Sequence, residues 1–81
     1  MTLKPTTRAK VLFPKLRVGV YEIIDAEFVG GNTYKVVYVS EHHGSRFAVP
    51  GVLINGQMIE CSNVDLARRR YADRVRARLL G

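Results

Sequence analysis

Apolar and polar residues alternate with a period of two through the middle of this chain, and a spacing of three to four takes over at its end. From Leu16 onward, Leu16, Val18, Val20, Ile24, Ala26 and Phe28 fall on one face of an extended segment, with Arg17, Tyr21, Asp25 and Glu27 on the other. That is the pattern of a strand with one buried face, because successive side chains point to opposite sides. Glu22 falls on the apolar side of the count. A β-bulge between Tyr21 and Ile24 resolves the misfit by turning Glu22 outward, and it bends the strand.

Gly30-Gly31-Asn32 tolerates positive φ and predicts a turn into a second strand over residues 33–39. Ser40-Glu41-His42-His43-Gly44-Ser45 reads as a polar loop into a third strand over residues 46–49. Pro50 has no N–H to give to a ladder, so Pro50-Gly51 ends that strand or sits on a sheet edge. Val52-Leu53-Ile54 and Gln57-Met58-Ile59-Glu60 flank Asn55-Gly56, the preferred pair for a type I′ hairpin turn. Five short strands result, with no internal repeat.

The helical spacing begins after Ser62-Asn63-Val64-Asp65, an N-cap candidate followed three residues later by an acid. Asp65 also lies at the positive end of the helix dipole. Val64, Ala67, Tyr71, Val75 and Leu79 recur at steps of three and four and form one apolar stripe. Arg70, Arg74 and Arg78 line one flank of it, Arg69 and Arg76 the other, and Arg68 lies close to the stripe itself. Asp73 falls opposite, within pairing reach of Arg69 and Arg70.

These elements predict a mainly β fold in three segments: a basic N-terminal arm over residues 1–15, a small β-barrel over 16–61, and an Arg-rich amphipathic C-terminal helix over 62–81. Five twisted strands with tight turns tend to close into a small SH3-like or OB-like barrel, since closure removes exposed edges. The chain is short for an OB-fold, which favours the SH3-like form. At 81 residues the core is small enough that oligomerisation is a natural way to bury more apolar surface.

Charge changes the picture more than composition does. The formal +6 is segregated. Residues 1–17 carry Lys4, Arg8, Lys10, Lys15 and Arg17 with no acid, and residues 62–81 set six arginines against Asp65 and Asp73. The middle is acidic, with Glu22, Asp25, Glu27, Glu41 and Glu60 against Lys35 and Arg46. A polyanion would therefore meet the two ends. Arginine keeps its charge and presents a planar fork that fits phosphate through two hydrogen bonds.

The expected nucleic-acid contacts are Arg68, Arg69, Arg70, Arg74, Arg76 and Arg78 on the helix and Lys4, Arg8 and Lys10 on the arm, gripping backbone with little sequence choice. The plain alternative is a solvated surface helix, for which arginine is a good former. Tyr34 and Tyr38 share a strand face and are candidates for stacking unpaired bases, although strands favour tyrosine for its packing alone. The partner expected is DNA or RNA. The runner-up is an assembly module in which the helix binds another copy or an acidic protein.

Other chemistry is thin. Adjacent His42 and His43 with Glu41 and the single Cys61 lack a four-ligand zinc pattern, so no metal or cofactor is expected. One cysteine forms no intrachain disulfide. Ser40, Ser45 and Ser62 lack a nucleophile-elbow context, and there is no P-loop or dinucleotide fingerprint, which points away from an enzyme. Cys61 near a helix N-terminus is either a thiol with lowered pKa or a small buried residue. Without a signal-like apolar stretch or a membrane-length apolar run, the reading is a soluble, cytoplasmic protein.

Overall fold

The computed structural model describes residues 3–81. Two helices and five strands follow in the order α1 (Thr7–Leu12), β1 (Arg17–Val18), β2 (Tyr21–Gly30), β3 (Thr33–His42), β4 (Ser45–Ile54), β5 (Gln57–Ile59) and α2 (Val64–Leu80). Each strand pairs antiparallel with its sequence neighbours, giving one sheet in the order β1-β2-β3-β4-β5. The sheet curls into a half-barrel. Among the described residues β1 and β5 share no ladder, so the expected closure is not made by backbone. A side-chain contact joins the two ends of the sheet, where the Tyr21 hydroxyl at the start of β2 donates to Glu60, just past β5, at 3.4 Å.

Tight turns set the register. The β2–β3, β3–β4 and β4–β5 connections are the pairs Gly31-Asn32, His43-Gly44 and Asn55-Gly56, all with positive φ at both residues. That geometry matches the twist of the flanking strands. The polar loop expected over residues 40–45 is therefore only two residues long, and the strands on either side run on to His42 and from Ser45. The third and fourth expected strands merge, because β4 continues through Pro50 opposite Val37. Its ring nitrogen cannot donate to β3, so it faces the free edge of β4.

The bulge anticipated near Ile24 is present: pairing with β3 shifts register between Ile23 and Asp25. It places both Ile23 and Ile24 under 9 % exposure and leaves Glu22 free to take the Arg46 guanidinium at 2.8 and 3.0 Å. Of the expected apolar face Ile24 and Ala26 are buried, Leu16 and Val18 are half-buried, and two members are exposed. Val20 is 85 % exposed because the chain reverses at Gly19-Val20, and Phe28 is 56 % exposed near the end of its hairpin.

Both faces of the sheet carry core. Inside the curl, Ile23, Ala26, Val36, Tyr38, Leu53 and Met58 pack with Ala9 of α1. On the outer face, Val52, Ile54 and Ile59 pack with Ala67 of α2, flanked by Cys61, Val64 and Tyr71. This explains the unbroken apolar run at residues 52–54, since a strand covered on two sides needs no polar alternation.

The segment expected as a basic arm holds α1; its residues 1 and 2 lie outside the described residues. The Thr6 hydroxyl accepts from the Ala9 N–H at 3.2 Å and caps the helix, while the Thr6 N–H donates to the Ile24 carbonyl at 2.9 Å. A reverse turn then brings the chain into β1, with Leu16 held at φ 52°. Leu16 packs on the core and its carbonyl accepts from the Ile23 N–H at 2.9 Å, which fixes it in that strained region.

Candidate nucleic-acid interface

Helix α2 starts one residue later than its best sequence signal. Asn63, not Ser62, is the cap, and its side chain accepts from the Leu66 N–H at 2.9 Å. Asp65 then lies in the first turn and Arg78 in the last, both favourable to the helix dipole. The apolar stripe seats on β4 and β5 through Val64, Ala67 and Tyr71, with Ala67 fully buried and Val75 half-buried. The Tyr71 hydroxyl accepts from the Asn55 side-chain amide at 3.1 Å, which ties the helix to the β4–β5 turn. The fifth member, Leu79, is 82 % exposed, so the last turn overhangs the sheet.

The six arginines divide by what they touch. Arg68 donates to the Val29 carbonyl at 3.4 Å and lies 4.0 Å from Asp65. Arg74 donates to the Met58 carbonyl at 3.5 Å from the other flank. These long contacts brace α2 on both sides. Arg69, Arg70, Arg76 and Arg78 are exposed and have no ion pair or hydrogen bond among the described residues. Asp73, exposed on the outer face, forms no ion pair with Arg69 or Arg70. Like charges at helical neighbour spacing cost a few tenths of a kcal/mol each, roughly, and a bound polyanion would relieve that repulsion.

The acids of the sheet are largely turned elsewhere. Glu22 holds Arg46. Asp25 accepts a two-pronged pair of hydrogen bonds from Arg8 at 2.6 and 2.8 Å, with Glu27 3.5 Å from the same guanidinium. The Arg8 hydrogen bonds hold the Asp25 carboxyl down at about 2 against the opposing effect of partial burial, and hydrogen bonds from Thr6 and the Ala26 N–H add to the lowering. Arg8 is thus engaged within the protein, unlike the exposed Lys4 and Lys10, which have no ion pair among the described residues.

The tyrosines differ as well. Tyr38 is 6 % exposed, edge-on to Tyr21 at 5.0 Å, and burial pushes its phenol up from the usual range. Its ring has no face free for a base, because the strand alternation turns it into the curl. Tyr34 is half-buried between Phe13 and Phe28, at 5.1 and 5.3 Å.

Sequence reasoning missed the Arg8–Asp25 pair, for which the only signal is opposite charge on two segments. The His42 and His43 rings meet edge-on at 4.0 Å at the β3–β4 turn, and no group of three ligating side chains assembles among the described residues. Cys61 is half-buried, with its thiol 3.5 Å from the Asn63 carbonyl. Among the described residues no helix is long and apolar enough to cross a membrane. Comparison with family models, curated proteins and solved structures gives no match to this chain.

Proposed function

We propose that this chain is a small nucleic-acid-binding accessory module, in which the half-barrel is scaffold and α2 grips phosphate backbone with little sequence choice. One observation carries the reading: Arg69, Arg70, Arg76 and Arg78 stand in solvent without an acidic partner among the described residues, while Asp25, Glu27 and Glu22 hold Arg8 and Arg46 instead. Lys4 and Lys10 extend the positive surface toward the N-terminus. We take the curled sheet as an open variant of the SH3-like, or OB-like, class of small barrels, and the setting as cytoplasmic.

The test is a salt series. Each phosphate neutralised on a duplex contributes about 0.9 to the slope of log K against log salt, so replacing Arg69, Arg70 and Arg76, unpartnered among the described residues, by alanine flattens the slope by up to about 2.7. Binding unchanged in that triple variant removes the helix from the account. A second reading, an assembly module binding another copy or an acidic protein, draws on Leu79 and Leu80, 82 % and 83 % exposed at the helix end. A mass that rises with concentration, with no nucleic acid retained at low salt, favours it.

A further inference from the structure

The outward charge of α2 falls in two rows, and their separation constrains the shape of the polyanion. Resting on the nucleic-acid reading above, we infer that the ligand is B-form duplex DNA, with the outer face of α2 in the major groove and one arginine row toward each wall. At about 100° per residue, Arg69 and Arg76 lie within about 20° of one another around the axis and form the first row. Arg70 and Arg74, about 40° apart, form the second, roughly 130° away from the first, and Arg74 gives only Nη1 to the Met58 carbonyl, which leaves its other guanidinium nitrogens for phosphate. Between the rows runs a ridge of Leu66, Asp73 and Leu80, all exposed, on the side away from the buried stripe.

A helix with its side chains is roughly 10–12 Å across, close to the major groove's width of about 12 Å and about twice that of the minor groove. The major groove of A-form RNA is deep and too narrow for such an element. A single strand meets one row at a time. Asp73 sharpens the choice, because an acid at the centre of the outer face repels a phosphate chain laid across it. On a groove floor the same carboxylate meets cytosine amino groups, which donate. The sheet leaves this face clear, since α2 seats only through its stripe and its last turn overhangs. The contacts of Arg68 with Val29 and of Arg74 with Met58 keep the helix from rolling, so the two rows have fixed directions.

The experiment is fluorescence anisotropy with the full chain against a random DNA duplex, the matching RNA duplex and one DNA strand, across salt. The DNA duplex is expected to bind at least about tenfold tighter than either, with a salt slope near −3.6 for four phosphates against about −1.4 for two on a single strand. The variant R69A/R76A brings the duplex slope to about −1.8, and R70A, which leaves the Arg74 brace in place, brings it to about −2.7; both leave the single-strand slope unchanged. Dimethyl sulfate should find guanine N7, on the major-groove edge, protected. RNA duplex bound as tightly as DNA, or protection of adenine N3 in place of guanine N7, overturns the inference while leaving nucleic-acid binding intact. Failure to bind all three probes removes the underlying reading instead.

Discussion

Replacing Asp25 by asparagine tests whether the N-terminal segment is held by charge or merely by packing. The carboxyl falls from 3.8 to about 2 on folding, and its side chain is 25 % exposed. At 1.36 kcal/mol per unit the shift has a ceiling of about 2 kcal/mol. The Arg8 side chain is 56 % exposed, so solvent screening lowers the expectation to about 1 kcal/mol. Asparagine keeps an acceptor for the Thr6 hydroxyl and the Ala26 N–H, and so isolates the charged fork. Because the folded value lies below the unfolded one, the contribution is fully present above about pH 4 and fades as pH falls through about 2.

Urea unfolding of the parent and of D25N should therefore differ by about 1 kcal/mol at pH 7, or ~5 °C in Tm for a domain of this size. The difference should vanish near pH 2. R8A should cost little more once D25N is in place. A second readout follows from the site: D25N frees Arg8, so nucleic-acid affinity rises and the salt slope steepens by up to about 0.9. A deficit equal at pH 7 and pH 2 refutes the electrostatic account, since only a packing defect is indifferent to the charge on residue 25.

Gly51→Ala places a methyl 2.9 Å from both the Met58 sulfur and a ring carbon of Tyr38; Met58 has room to adjust but the Tyr38 ring is locked against Tyr21, so urea titration should show a loss of about 1–3 kcal/mol. Asn63→Ala removes the cap on the Leu66 N–H and should cost about 1 kcal/mol, with reduced helical circular dichroism. Pro50→Val restores a donor on the unpaired edge of β4, and sedimentation velocity should detect self-association that the parent lacks at the same concentration.

Legibility in the sequence followed how local the cause was. Asn55-Gly56 carries its turn geometry in two residues, and the misplaced Glu22 betrayed the bulge at Ile24 because a period-two count has no slack. The His43-Gly44 turn is hidden, since His-Gly is not among the strong type I′ pairs and the surrounding polar run resembles a longer loop. Pro50 reads equally as a terminator or as an edge residue, because the chain does not announce which side of a strand will be unpaired. Helix α1 has six residues, too few for a period to emerge, and it is held by Thr6 and by contacts to β2 seventeen to nineteen positions away. Of the candidate interface, the stripe and the flanks of α2 were readable from periodicity. The engagement of Arg8 and the burial of Tyr38 were not, because both depend on which strands become neighbours.

The strand order has a kinetic corollary. With every strand paired only to its sequence neighbours and four connections of two residues, loop-closure entropy is low for each step, and the sheet can zip outward from β3 without waiting for a distant segment. The main refolding phase should then be fast for a largely β chain. The terminal helices, which need a formed sheet to dock on, would be the last parts gained and the first released, so the arginine surface can be lost transiently while the hairpins persist.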